Sequence, residues 1–207
     1  MELCIGVARV NSKANDPAGE AALIERCRKQ DPEAFGKFVD AYQHRVYGFV
    51  RRMVRDPDEA SDVAQEVFIR AFQGFVRFDA RSSLRTWLFR IAYNLCVDRA
   101  RRNDRAPIEM RIEAVAEDDQ PFEIPDSRWD PQKGILDSEL ADVLEAGLSS
   151  MSEKLRTVLL LHDKEDFAYE EIAQTLKVPI GTVKSRLFLA RAHLQKTLKD
   201  YLQGNER

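Results

Sequence analysis

Long apolar runs, cysteine and strand patterning are all scarce in this chain, and each scarcity removes a class of protein. No hydrophobic stretch in the sequence approaches the roughly 18 residues needed to span a bilayer. Residues 1–10 lack the basic start and long apolar centre of a signal peptide, so the expected location is the cytoplasm. Cys4, Cys27 and Cys96 are widely spaced and show no CxxC or Cys/His pattern, which argues against a disulfide framework or a structural zinc site and for reduced thiols. Val and Ile fall at helical spacing, and no Asn-Gly or Asp-Gly turn separates alternating runs, so sheet architectures drop out. Catalytic patterning is missing as well. His44, His162 and His193 lie far apart, Cys96 has no recognisable base near it, and neither a Ser/His/Asp set nor a Gly-rich phosphate loop occurs. The expectation is a non-catalytic protein without a metal or cofactor.

What is present is charge, unevenly distributed. The formal net charge of −3 over 207 residues looks wrong for a nucleic-acid binder until it is divided along the chain. Between Arg81 and Arg111 eight arginines face three carboxylates. From Ile112 to Gly147 eleven carboxylates face only Arg128 and Lys133, and from Lys177 to Arg207 seven cations face Asp200 and Glu206. Two basic blocks flank one acidic block.

The periodicity predicts an all-α fold. Asp31-Pro32, Asp56-Pro57 and Asp130-Pro131 each place a capping carboxylate before a proline at the first helical position, and Glu59 makes the second a capping-box variant. Helices are expected over 18–29, 32–54, 57–74, 83–102, 131–148, 153–162, 169–176 and 180–202. Residues 103–129 hold Pro107, Pro121 and Pro125 among many acids and little periodicity, which reads as a flexible acidic linker. The architecture is therefore two small helical domains, 20–104 and 131–203, with an arm at 1–19 and the linker at 105–130.

In the C-terminal unit Ile172, Ala173 and Leu176 form an apolar stripe, Lys177-Val178-Pro179 makes a short turn, and Val183, Leu187, Ala190 and Leu194 recur at helical spacing. Thr182, Ser185, Arg186 and Leu189 are left on the opposite face, flanked by Lys184 and Phe188. That is a helix-turn-helix whose second helix shows hydroxyls and cations. Such groups reach phosphates and base edges, and arginine grips guanine bidentately; a solvated bundle helix is the competing reading. Tyr169-Glu170-Glu171-Ile172-Ala173 followed by Val178-Pro179-Ile180-Gly181-Thr182-Val183-Lys184-Ser185-Arg186-Leu187 resembles region 4 of extracytoplasmic-function sigma factors, a sigma-70-like family that includes the sigma-E type. The resemblance implies recognition of a promoter's minus-thirty-five element by Thr182, Lys184, Ser185, Arg186 and Arg191. Two residues depart from the pattern. Ala168 replaces a capping serine, which weakens a helix start by about 1 kcal/mol, and Leu189 replaces a common arginine, which alters the DNA sequence read.

In the N-terminal unit Ala60, Val63, Ala64, Val67, Phe68, Ala71 and Phe72 share one helix face, with Asp62, Gln65 and Glu66 beside it. An acidic patch of this kind is commonly a solvated face. Asp62-Val63-Ala64-Gln65-Glu66-Val67-Phe68 nevertheless resembles region 2.2 of the same family, implying that Asp62, Gln65 and Glu66 anchor the chain on the beta-prime coiled coil of core RNA polymerase. On the next helix Leu84, Leu88, Ile91 and Leu95 are the buried stripe, while Arg90, Asn94, Val97 and Arg101 share another face bordered by Trp87 and Tyr93. Cations for a backbone, rings for stacking and an amide for a base edge are what single-stranded DNA requires. The run from Phe78 to Asn94 resembles regions 2.3 and 2.4. By that likeness the loop 79–83, with Arg81, Ser82 and Ser83, captures an extruded base of the minus-ten element together with Asn94, and Arg85, Trp87, Arg90 and Arg101 border the strand.

The resemblance also implies contact with the beta flap of core polymerase, promoter DNA as the second partner, and an anti-sigma factor as the third. The acidic linker is either a plain disordered spacer or a mimic of RNA charge in the polymerase channel. A regulator that binds duplex DNA without polymerase would account for the helix-turn-helix but not for the patch at Asp62, Gln65 and Glu66 or the Trp87 to Asn94 surface.

Overall fold

The computed structural model describes residues 17–103 and 138–204, and every regular element among them is helical. The first 16 residues of the expected arm, the linker and the cap at Asp130 lie outside the described residues. Helices α1 (Pro17–Arg28), α2 (Pro32–Met53), α3 (Pro57–Gly74) and α4 (Leu84–Asn103) form one bundle, and α5 (Ser138–Ser150), α6 (Glu153–Leu159), α7 (Tyr169–Leu176) and α8 (Ile180–Gly204) form a second.

The Asp-Pro signals at Asp31 and Asp56 behave as expected. Asp31 accepts the backbone N–H groups of Glu33 (3.0 Å) and Ala34 (3.3 Å), and Asp56 those of Asp58 (2.8 Å) and Glu59 (3.0 Å), which satisfies orphan donors at each helix start. The first bundle closes around an aromatic cluster in which Phe38 and Phe75 meet edge to face at 5.0 Å. A 3-10 turn at Phe75–Arg77 carries the chain from α3 toward α4.

Two features of the second bundle escape the sequence pattern. After α6 the chain widens into a π-helical turn, Leu160–Lys164, in which the N–H of Glu165 donates to the carbonyl of Leu160 at 3.1 Å. That widening swings Glu165 and Phe167 toward the first bundle, consistent with the tendency of such turns to mark functional places. The turn between α7 and α8 depends on Lys177 in the left-handed region (φ 56°, ψ 47°), where a side chain carries a steric cost. The N–H of Val178 then reaches back to the carbonyl of Ala173 at 3.2 Å, a Schellman-type closure.

The bundles pack on each other, α4 against α7 and α2 against α6. Arg156 is buried at this seam and donates to the carbonyls of Arg52 (3.1 Å), Ser149 (3.0 Å) and Met151 (2.8 Å). Burial lowers its pKa, and the three carbonyls supply what water otherwise would.

Candidate nucleic-acid interface

The loop 79–83 is held in shape before any ligand arrives. The Asp79 carboxylate accepts the N–H of Arg81 at 3.3 Å and pairs with its guanidinium at 2.8 Å, and Ala80 takes a left-handed φ of 56°. Ser83 caps α4, its Oγ accepting the N–H of Thr86 at 3.1 Å. Arg28 of α1 donates from Nε to the carbonyl of Phe78 at 2.9 Å and from Nη2 to the same oxygen. With α1 the loop encloses an open cleft lined by Glu20, Ala21, Ile24, Arg81, Ser82 and Ser83.

Beyond the loop, α4 shows Asn94 and Arg101 exposed and Arg90 and Val97 half-buried. Trp87 is half-buried, its indole on Phe75 (5.1 Å) and Phe78 (4.9 Å). The ring crosses so close to α3 that a Cβ on Gly74 would come within 2.9 Å of it, so any side chain there forces Trp87 to shift.

On α8 the stripe Val183, Leu187, Ala190 and Leu194 is buried. Lys184, Ser185, Leu189 and Arg191 are exposed, and Thr182 and Arg186 half-buried. Lys184 lies over the Tyr169 ring at 6.0 Å, and Arg191 grips Asp163 at 2.6 Å. Ala168 provides no side-chain acceptor at the start of α7, but Glu171 accepts the Ala168 N–H at 3.0 Å, so the reciprocal half of the capping box survives its substitution.

On α3, Asp62 and Gln65 are exposed and Glu66 pairs with Arg70 at 2.7 Å. Asp62 and Glu66 border a shallow cleft with Asp98, Arg99 and Arg102 of α4, so the patch alternates sign.

Contacts between the bundles engage several of these groups. Glu165, almost fully buried, pairs with Arg45 at 2.7 Å; burial pushes its carboxyl above the usual range, against the pull of Arg45. Phe167 meets Phe89 edge to face at 5.4 Å and lies under the Arg85 guanidinium at 4.3 Å. Arg85 also donates to the Glu165 carbonyl at 3.1 Å and to the Glu171 carboxylate at 2.8 Å. Burial alone would raise the Glu171 pKa, but the Ala168 N–H, Arg85 and Thr86 outweigh it and hold it low.

Comparison with known proteins decides what carries these surfaces. Residues 38–106 match the family model of sigma-70 region 2, and residues 141–194 that of sigma-70 region 4. The chain is 36% identical over 184 residues to the RNA polymerase sigma-H factor of Pseudomonas aeruginosa, covering 87% of this chain and 94% of that protein. It is 32% identical over 179 residues to the extracytoplasmic-function sigma factor SigW of Bacillus subtilis, covering 86% and 95%. The chain belongs to the extracytoplasmic-function sigma factors. Among solved structures, the sigma factor RpoE of Bartonella quintana, in complex with the anti-sigma factor NepR, is similar with a TM-score of 0.61 and 28% identity, covering 80% of this chain and 96% of that one.

As a sigma factor the protein is a non-catalytic specificity subunit of RNA polymerase that directs promoter-specific transcription. The family resemblance and the all-helical expectation are borne out. Sequence reasoning missed five residues of this sigma factor that the structure makes prominent: Arg28, Thr86, Glu165, Phe167 and Glu171. Four of them act across the seam between bundles, which no local pattern marks. Arg28 reaches the Phe78 carbonyl from 50 residues away, and a single cation at the end of a helix carries no signal of that. Cys27 and Cys96 are buried, and burial pushes the Cys96 thiol up to about 12, as befits an inert structural thiol.

Proposed function

We propose that the two units divide promoter reading between them. The N-terminal unit, residues 20–104, docks on core polymerase through Asp62, Gln65 and Glu66 and opens the minus-ten element. Asn94 and the loop carrying Arg81, Ser82 and Ser83 take an extruded base, and Arg85, Arg90 and Arg101 hold the strand while Trp87 walls the site. The C-terminal unit, residues 131–203, reads the minus-thirty-five element in the major groove with Thr182, Lys184, Ser185, Arg186 and Arg191. The beta flap is its polymerase contact. Leu189, 41% exposed in the middle of that face, meets a thymine methyl where an arginine would meet a guanine.

One observation carries this division: Asn94 stands exposed in mid-α4, between Arg90 and Arg101, where asparagine is a poor helix former. An anti-sigma factor is the third partner, supported by the likeness to the Bartonella quintana sigma factor solved with one. The place of action is the cytoplasm, where polymerase and promoter are. Among the described residues no helix is long and apolar enough to cross a membrane.

The test is Asn94→Ala in reconstituted holoenzyme. Core polymerase binding stays at the wild-type level, while open-complex yield, read by permanganate reactivity of unpaired thymines, falls by about tenfold or more, the worth of one good base contact. An unchanged yield would remove Asn94 from base capture.

A further inference from the structure

The donors at the start of α4 form a compact arrangement around one anion. The Glu171 carboxylate lies 2.8 Å from Arg85 Nη2, 3.3 Å from Thr86 Oγ1 and 3.4 Å from Ser83 Oγ. The two hydroxyls are 2.7 Å apart. Whichever donates to the other, one proton remains, and it points at the carboxylate. Thr86 is 1% exposed, and its own N–H is spent on Ser83. A buried threonine in a helix otherwise lined by Leu84, Leu88 and Phe89 is costly unless its hydroxyl has partners, and in the closed chain Ser83 of its own bundle at 2.7 Å and Glu171 of the other bundle at 3.3 Å share that role. Arg85 is likewise aimed here, fixed by the Phe167 ring and the Glu165 carbonyl.

Resting on the promoter-reading role of the N-terminal unit, we propose that Ser83, Arg85 and Thr86 are a phosphate subsite for single-stranded DNA that Glu171 fills in the free chain. A phosphodiester presents the same pair of anionic oxygens as a carboxylate and binds the same donors, Arg85 as a charge-assisted pair and the hydroxyls as neutral ones. The two ligands exclude each other. Strand entry therefore requires the α7 bundle to leave α4, and closure of the bundles withholds the subsite from DNA until another contact opens the chain. Glu171 suits this exchange because its second task, accepting the Ala168 N–H, is internal to its own bundle and persists after separation.

The experiment uses the full chain with Glu171→Gln, which keeps the acceptor for Ala168 and removes the charge that Arg85 holds. The probe is a fluorescein-labelled single-stranded oligonucleotide of mixed sequence, read by anisotropy. If the closed form holds the subsite nine parts in ten, emptying it tightens apparent binding by about tenfold. Thr86→Val in the Glu171→Gln background reverses most of that gain, while Thr86→Ser retains it, a contrast that separates a lost hydroxyl from a disturbed fold. Unchanged probe affinity for Glu171→Gln overturns the competition, and equal affinity for the Val and Ser variants overturns the phosphate role of Thr86. Failure of the wild-type chain to support any promoter opening with core polymerase would instead count against the promoter reading on which the proposal rests.

Discussion

The two helices that carry the candidate DNA faces are buried in different ways. On α8 one stripe, Val183, Leu187, Ala190 and Leu194, goes inward and the opposite face is open. On α4 the stripe Leu84, Leu88 and Leu95 is buried, but Thr86, Phe89, Ala92 and Cys96 are buried too. The extra burial has an identifiable source, since α4 packs on α2 and α3 and also on α7. A helix that serves one core keeps a simple amphipathic pattern. A helix that serves a core and a separable partner carries apolar groups on a second face, interleaved with the polar groups it uses when the partner leaves. Under the proposed competition for Arg85 and Thr86, the difference puts the change of state at the start of α4 and not along α8.

The largest effect is expected where that second face is thickest. Phe167, with its ring between Phe89 and Arg85, is almost fully buried. Phe167→Ala should cost about 3 kcal/mol in urea unfolding, as for a core phenylalanine, and should split one transition into two as the bundles uncouple. Small-angle scattering would show the larger radius directly. A cost below about 1 kcal/mol would mean a surface-like site, and the contrast between α4 and α8 would vanish. Gly74→Ala breaks the same side from within. Its new methyl meets Trp87, and overpacking of this kind costs about 2 kcal/mol. The expected signature is a shifted Trp87 fluorescence and a lower melting temperature for the N-terminal bundle, with duplex binding by the α8 face unaltered.

How much was legible follows the same line. The ends of α2 and α3 could be read because Asp31 and Asp56 act locally, on amides two and three residues ahead. The buried stripes of α3 and α8 could be read because each faces one core. What could not be read depends on sequence separation. Glu165 finds Arg45 from 120 residues away, and Glu171 finds Arg85 from 86. The π-helical turn that delivers Glu165 and Phe167 has no residue signature of its own, and without it these two residues look like an ordinary loop. The candidate site shares this split. Asn94 and the α8 face were visible as exposed polar groups on predicted helices, whereas no local pattern singles out Thr86, which meets Glu171 of the other bundle.

The smallest predicted effect sharpens the comparison through charge. Arg191 on α8 and Arg85 on α4 are both held by carboxylates, but Arg191 is held by Asp163 of its own bundle at 2.6 Å and Arg85 by Glu171 of the other bundle at 2.8 Å. Opening the chain therefore frees Arg85 and leaves Arg191 paired. Burial alone would raise the Asp163 pKa, yet hydrogen bonds from His162 and Arg191 and their charges outweigh it and hold it below the ordinary value. A carboxyl whose folded pKa is depressed adds stability that is fully present above its unfolded pKa and is lost as pH falls through the folded one. Asp163→Asn should thus lower the stability of the α8 bundle by about 1 kcal/mol at neutral pH, a modest figure because Arg191 is solvent-exposed. Its deficit against wild type should shrink as the pH is taken below the ordinary carboxylate range. Melting curves of the two proteins across that range test the pair, and parallel curves at every pH would show that Asp163 contributes nothing as a charge. The same substitution removes the carboxylate that competes with DNA for Arg191 and should strengthen duplex binding by the holoenzyme, while single-stranded binding at the start of α4 stays as it was.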